Sequence, residues 1–468
     1  MACAVLTLCS ACNKWLDVDL INQVDENKLF EKEQGFVDAL AGVYSEMSSS
    51  SMYGEVLSYE MLDVLGQYYD YNSMAAEYNY YRDYDYSNAS VKSKIASVWS
   101  NMYKNISAIN NIIRWEQKNG QVMNEQVRMQ VKGEALALRA YLHFDLYRMF
   151  CADMKFNPAA SGIPYNKEFG VALPPQYTAA EIVQLVINDL KEAEGYLAEG
   201  DPIRNVVPYK LPNVGKDLRN SADKYVARMN LYGVKALLAR VYMTQGDKVN
   251  AAAMAKEVIE SGKFRLLDFA SSVDVQEDKR DYRFSDEHVF SLRNKNIPER
   301  SKLLHFDVVA ATSTSFAKLP VGNAFNLYEG IADDVRYQFW TESNKLHKYV
   351  KGVKDTEFFP KVPMIKLSEM YLIMAESLYD TDRNQSINYI NTLRKARIRN
   401  APDWFFVDRQ ILFTEIKKEY LGEGQLFFAY KRLNKDPQNN SGVGDIPASN
   451  EIFVFPIPDK EIESGKRN

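Results

Sequence analysis

Cysteine, histidine and runs of basic charge are all scarce in this chain, and each scarcity removes a class of function. The net charge is −5, with acids and bases interleaved along the sequence. No basic block and no nucleic-acid motif is present, so a nucleic-acid partner is not expected. The four histidines, His143, His288, His305 and His347, are scattered and carry no zinc spacing. His143 shares a helical stretch with Arg139 and Asp145 and reads as a hydrogen-bonded structural residue. There is no H-E-x-x-H, no Walker A, no G-x-S-x-G and no glycine-rich dinucleotide loop. No catalytic residue, metal or cofactor is therefore assigned. The 62 acids give many chance carboxylate pairs, but none stands out by context as a glycosidase pair. Beyond the N-terminus no apolar run approaches about 18 residues, so nothing there spans a membrane.

Three of the four cysteines lie in the first twelve residues. The apolar stretch Ala4-Val5-Leu6-Thr7-Leu8 leads into Cys9-Ser10-Ala11-Cys12. Small residues before a cysteine, at the end of an apolar N-terminal segment, form a bacterial lipoprotein cleavage site. On this reading residues 1–11 are a signal peptide and Cys12 becomes the acylated first residue of the mature chain. Residues 12–25 then form a tether. Two features depart from the pattern: no Lys or Arg precedes the apolar stretch, and Cys9 stands where Leu is usual. Cys9 and Cys12 also have redox C-x-x-C spacing, but no strand-then-helix context surrounds them to lower a thiol pKa. Cys151 is left as a buried free thiol.

With 468 residues, 46% of them hydrophobic, the chain can bury a large core. Long segments of period 3.6 dominate. Trp99, Met102, Tyr103, Ile106, Ile109 and Ile113 share one helical face. A helix from about Gln126 to Phe150 carries the stripe Val131, Ala135, Leu138, Leu142, Leu146 and Met149, with apolar residues on its other faces too, and should be largely buried. Thr178 to Glu181 reads as a capping box opening a helix to about Leu197. Helices over about 227–244 and 249–261 flank Gly246-Asp247 and form a tetratricopeptide-like hairpin. The spacing recurs loosely around Leu367–Glu376 and Ser386–Leu393. Between these scaffolds, 264–362 and 436–458 read as long irregular connections, the kind that carry function.

The unusual abundance is tyrosine: 30 residues, against 5 Trp and 23 Phe. Eight of them fall in the segment 68–86: Tyr68, Tyr69, Tyr71, Tyr78, Tyr80, Tyr81, Tyr84 and Tyr86, interleaved with Asp, Asn and Arg82. Aromatic faces stack on the C–H faces of a sugar while carboxylate, amide and guanidinium groups bind its hydroxyls. A small ligand, a protein contact and plain packing on the scaffold are all compatible with that composition.

Trp15-Leu16-Asp17, Phe36 to Tyr44, Trp99 to Ile113, Gly133 to Ala140, Lys366 to Glu376, Glu419 to Gly424 and Phe455 to Pro458, taken in order, resemble the motifs of the SusD/RagB family of surface nutrient-binding lipoproteins. Trp15-Leu16-Asp17 follows Cys12 where the family has a Leu-Asp. Phe36 to Tyr44 is similar to its first helix. Trp99, Tyr103, Ile106, Asn110 and Ile113 match its W-x-x-x-Y-x-x-I-x-x-x-N-x-x-I helix. Gly133-Glu134-Ala135 with Leu138-Arg139-Ala140 matches its G-E-A-x-x-L-R-A. Lys366 to Glu376, Ile390-Asn391 to Arg394, Glu419 to Gly424 and Phe455-Pro456-Ile457-Pro458 resemble its C-terminal motifs. Gln425, Leu426 and Ala429 stand where an Arg and an Asp follow E-G in the family, and Lys366 and Ser368 replace its Arg and Ala.

The resemblance implies an all-α scaffold of tetratricopeptide-like helix pairs in one domain over 26–468, with an N-terminal part to about 263. It implies a non-catalytic protein at the outer surface of the outer membrane that binds a glycan and hands it to a SusC-type TonB-dependent transporter. Peptide-binding relatives make a peptide the alternative ligand, and a surface glycosidase is the more distant one. The family's site implies two regions here, 66–86 and about 305–340. The candidate ligand contacts are Tyr68, Tyr71, Tyr78, Tyr80, Tyr81, Arg82, Phe306, Phe325, Tyr328 and Trp340.

Overall fold

The computed structural model describes residues 26–212, 221–277, 280–306, 317–350, 359–439, 444 and 446–465. Cys12, the expected signal segment and the tether lie outside the described residues. Among the described residues the fold is a helical scaffold with three small two-stranded sheets. Its principal helices are α1 (Glu33–Met47), α2 (Ala89–Asn119), α3 (Glu125–Phe150), α4 (Ala179–Gly200), α5 (Leu231–Gln245), α6 (Lys248–Glu260), α7 (Val335–Trp340), α8 (Leu367–Leu378), α9 (Arg383–Lys395), α10 (Arg409–Glu419) and α11 (Leu426–Leu433). The strands are β1 (Ser161–Pro164), β2 (Gln176–Thr178), β3 (His288–Arg293), β4 (Thr341–Glu342), β5 (Lys345–Leu346) and β6 (Lys361–Lys366). Each pairs antiparallel, β1 with β2, β3 with β6 and β4 with β5.

Local chemistry sets the helix starts. Asn124 caps α3 by accepting from Val127 N–H, and Thr178 with Glu181 closes the reciprocal box at the start of α4. Asp247 caps α6 and Asp382 caps α9, so each hairpin turn ends on a side chain that serves an orphan N–H. Both tetratricopeptide-like hairpins form: α5 packs on α6, and α8 packs on α9 and α6. Gly246 at φ 87° ends α5 in the left-handed region that glycine reaches without strain.

Helix α3 is buried on nearly all faces. Gly133 lets α4 approach, since a Cβ there would sit 2.6 Å from Leu197 Cγ. Its polar residues are paired across the core. Arg139 donates two bonds to Asp189, at 2.7 and 2.9 Å, and one to Asn110 on α2 at 3.0 Å. Glu134 accepts from Tyr44 of α1 at 2.7 Å and pairs with Arg228. Buried charge is tolerated only when it is paired in this way.

Cys151 is a buried free thiol as expected, its pKa pushed up to about 12 by burial. His143 lies wholly buried, with Nδ1 2.9 Å from Arg139 O and Nε2 accepting from Asn166 N–H at 3.0 Å. Burial lowers its pKa to about 3, and that of His305 to about 4. Both folded values lie below the ordinary imidazole value of 6.5, so the unfolded chain takes up the protons first. The stability that these two neutral rings contribute should be full above pH 6.5 and be lost as pH drops toward 3 to 4. NMR titration should show the ring signals of His143 and His305 flat down to about pH 5; midpoints near 6.5 would contradict their burial as neutral rings.

Candidate functional site

The two expected regions meet. Segment 317–322 runs alongside the tyrosine-rich segment and is joined to it by backbone bonds. Asp70 N–H donates to Pro320 O at 2.8 Å, Ala75 N–H to Lys318 O at 2.8 Å, and Gly322 N–H to Tyr68 O at 2.9 Å. Tyr69 and Val321 form an antiparallel bridge. A salt bridge between Lys318 and Glu77, 2.9 Å, spans the same junction. On its other side, Leu319 N–H reaches Leu304 O, and Val321 N–H reaches Asn344 O in the β4–β5 turn. This short segment is thus a spine that holds 68–78, 304–306 and 341–346 in one place.

The eight tyrosines then divide by what their hydroxyls find. Tyr68 donates to Lys417 O, Tyr69 to Tyr59 O, Tyr84 to Leu65 O and Tyr86 to Ile452 O, each at 2.6 Å. Tyr78 donates to Glu60 Oε1 at 3.1 Å, and its ring lies 6.2 Å from that of Tyr81. All six of these rings are buried. A ring that closes its own hydroxyl onto a distant carbonyl packs as a strut. Of the expected contacts, Tyr68, Tyr78 and Tyr81 are buried in this structure and present no open face.

Tyr71 and Tyr80 remain outside. Tyr80 is 43% exposed. Tyr71 is half-buried, with the Arg82 guanidinium 4.6 Å from its ring centroid. Arg82 is locked there by two 2.7 Å bonds to Asp83 and one to Tyr71 O. The stack of Tyr71, Arg82 and Asp83 is preorganised, because the planar guanidinium has its fork filled before any ligand arrives.

The second region divides in the same way. Phe325 is 44% exposed and packs edge-on against Tyr337. Phe306 is half-buried, 4.3 Å from His347 and beside Lys345. Of the expected contacts here, Tyr328 and Trp340 are fully buried. Trp340 donates to Tyr282 O at 2.8 Å and carries the Lys348 ammonium 3.7 Å from its ring. Phe316, in the same stretch of sequence, lies outside the described residues.

Trp340 is drawn inward by a buried ionic cluster that the sequence did not announce. Arg336 donates to Asp334, Glu415 and Glu419, and Arg397 donates to Glu287 and Glu419. Lys366 reaches Glu419 and Glu423, and Lys348 reaches Glu423. Burial alone would raise the Glu419 pKa, but Arg397, Lys366 and Arg336 hold it well below the usual carboxylate range. Lys348 is lowered by burial to about 8, against the pull of Glu423. Asp63 accepts Gly422 N–H at 2.6 Å and Gly424 N–H at 2.8 Å, so the 420–424 turn is pinned to the segment that leads into the tyrosines. Both glycines have positive φ, and a Cβ at Gly424 would meet Leu57 O at 2.3 Å.

Among the described residues no group of three or more His, Cys, Asp or Glu is placed to hold a metal ion. No helix of the described residues is long and apolar enough to cross a membrane.

Two outcomes follow for stability. Glu419→Gln should cost about 3–5 kcal/mol, since it leaves buried Arg336, Arg397 and Lys366 short of a charge; urea unfolding showing a loss under 1 kcal/mol would contradict the cluster. Tyr84→Phe should cost about 1 kcal/mol and Tyr80→Ala less than about 0.5 kcal/mol. Equal losses at the two sites would contradict the division between struts and exposed faces.

Comparison with known proteins agrees with this architecture. Residues 14–204 match the SusD-like family described as "Starch-binding associating with outer membrane". Among curated proteins no sequence matches the chain. A putative sugar-binding protein from Bacteroides vulgatus is similar in structure, with a TM-score of 0.72 at 22% identity over 92% of this chain and 96% of that one. A SusD superfamily protein from Bacteroides thetaiotaomicron gives 0.70 at 21% identity, covering 93% and 98%. A laminarin-binding SusD-like protein gives 0.65 at 19% identity, covering 92% and 98%. By sequence, residues 14–204 are similar to the SusD-like family, and nearly the whole chain shares the fold of SusD superfamily structures.

Proposed function

We propose that this protein is a non-catalytic surface binder that captures an oligosaccharide and passes it to a SusC-type TonB-dependent transporter. The observation that carries the reading is the spine at 317–322. It gathers two expected ligand regions and leaves Tyr71, Tyr80, Arg82, Phe306 and Phe325 open or half-open on rigid backbone. Exposed aromatic faces beside a fixed guanidinium and carboxylate suit sugar rings, whose C–H faces stack and whose hydroxyls bond. The glycan-binding descriptions of the laminarin-binding protein and of a surface glycan-binding protein from Bacteroides fluxus, 20% identical with a TM-score of 0.65, favour the same ligand class. The match of residues 14–204 to a family described as associating with the outer membrane favours that location, and the small-residue run before Cys12 favours lipid on that cysteine as the anchor.

A few half-exposed stacking faces give weak binding, with Kd on the order of mM to μM. The ligand contacts are expected at Tyr71, Tyr80, Arg82, Phe306 and Phe325, while Tyr68, Tyr78, Tyr81, Tyr328 and Trp340 hold them in place. The Tyr71, Arg82 and Asp83 stack also suits a peptide backbone, which keeps a peptide as the second candidate ligand.

Calorimetry against a panel of β-glucans, α-glucans, other plant oligosaccharides and peptides tests this. A glycan should bind without being cleaved, and Tyr80→Ala and Phe325→Ala should each weaken it about tenfold with an unchanged melting temperature. Binding confined to peptides, release of shortened sugars by the purified protein, or undiminished glycan affinity in both variants would each overturn part of the reading.

A further inference from the structure

The motif running from Ile390-Asn391 to Arg394 takes no part in the site described above. Asn391, Arg394 and Lys395 are three and four residues apart, so they share one face of α9. That face holds the loop from α9 to α10. The Asn391 amide accepts from Trp404 N–H and donates to Trp404 O, both at 2.9 Å, as a paired strand would. Arg394 donates to Pro402 O at 2.8 Å, and its guanidinium lies 3.5 Å from the Trp404 ring centroid. Val407 is buried and its carbonyl accepts from Arg383 at 3.3 Å, while Asp408 caps α10. The loop is therefore fastened at 402, 404, 407 and 408.

Between these points the chain bends at Phe405 and leaves two rings outside. Phe405 is 92% exposed and Phe406 65%, both more than Tyr80 or Phe325. A single exposed apolar residue needs no explanation, but two adjacent rings on a fastened loop form a patch that marks a contact site. The charges around them cancel. Lys395 pairs with Asp403 at 2.6 Å, Arg399 with Asp274 at 3.1 Å and Arg409 with Asp380 at 2.7 Å. Arg383 and Arg394 are balanced in number by Asp382 and Asp408, the caps of α9 and α10. A patch with no surplus of either sign suits a neutral ligand better than a charged one.

The loop is continuous with the candidate site. Asp334 and Ile398 form an antiparallel bridge, and Val335 N–H donates to Arg397 O at 2.8 Å. Helix α7 starts at this bridge and carries Tyr337, whose ring centroid lies 5.6 Å from that of Phe325. The turn after Phe325 packs on the same ring, since a Cβ at Gly330 would lie 3.5 Å from Phe325 Cε1. Glu329, in that turn, is among the charges that act on the Arg394 guanidinium, the group that Trp404 covers. The exposed rings at 325 and at 405–406 thus sit on two segments fastened to one another through 334–335 and 397–398.

We propose that Phe405 and Phe406 form an outer subsite for a neutral glycan, engaged by chains too long to end at Phe325; this rests on the functional reading given above. The C–H faces of sugar rings beyond the inner contacts stack on the two phenyl rings. Because Asn391 and Arg394 have already fixed the loop, little ordering cost opposes the added contact. Two weak platforms on one rigid body act together on a ligand that reaches both. The consequence is selection by length: a long chain gains affinity that a short one lacks. Asn391 and Arg394 are positioning residues in this scheme, and the phenyl rings make the contact.

Calorimetry of the full chain against linear β-glucan and α-glucan ladders of about two to eight sugars tests it. Affinity should rise about tenfold from the shortest member that binds to the longest. Phe405→Ala with Phe406→Ala should abolish that rise, with the affinity for the shortest member and the melting temperature unchanged. In hydroxyl-radical footprinting both rings should react in the free protein and be protected by the longest member only. A rise retained in the double variant, or rings equally reactive with and without the longest member, would overturn the subsite and leave the glycan reading standing. Lost affinity for the shortest member would contradict it too, because the two rings would then be inner contacts. Reactivity that falls with protein concentration alone would assign the rings to a contact between copies, against the proposal. Binding of no member by the unaltered protein would sink the functional reading and the subsite together.

Discussion

Glu419 sits where three stretches of chain must agree. It receives Arg336 from α7, Lys366 from the end of β6 and Arg397 from just after α9, all buried. Removing several charges from water costs several kcal/mol per ion, so the arrangement holds only while every partner is in place. That requirement couples the helical hairpins to the irregular region. Lys366 and Lys348 share Glu423, and the turn that carries Glu423 offers its Gly422 and Gly424 N–H groups to Asp63. A chain of buried polar contacts therefore runs from the C-terminal helices to the start of the tyrosine-rich segment.

The aromatic surface rests on that base. Trp340 is held under the Lys348 ammonium, Tyr68 reaches back to Lys417 O in α10, and Tyr69 stacks on His305 while bridging Val321. Each strut removes a ring from solvent and fixes a backbone position. What stays outside is a small set of rings on backbone that has little freedom left to lose. Weak sugar contacts benefit most from this, because the ordering cost of a loop would otherwise consume a few kcal/mol of a shallow site's binding energy.

The scaffold was legible in the sequence because its signals are local. The Thr178–Glu181 box, the period of α3 and the Gly246-Asp247 turn all depend on residues within a few positions of one another. The meeting of 66–86 with the central region was legible only through family resemblance. Which tyrosines point inward was not legible at all. Tyr68 is decided by a carbonyl 349 residues away and Tyr86 by one 366 residues away. No composition or period within 68–86 separates Tyr80 from Tyr81, although one is exposed and the other buried. The ionic cluster was equally hidden, since Glu287, Arg336, Arg397 and Glu419 look like solvated charges until the fold brings them together.

The central claim is that most of the tyrosines are structure and a few exposed aromatics are the site. Hydroxyl-radical footprinting of the protein, with and without the oligosaccharide that binds it best, addresses this most directly. Protection should appear at Tyr71, Tyr80, Phe306 and Phe325, with Tyr68, Tyr78, Tyr81, Tyr328 and Trp340 unreactive in both states. Strong reactivity of those five in the free protein, or protection confined to another face, would contradict the account.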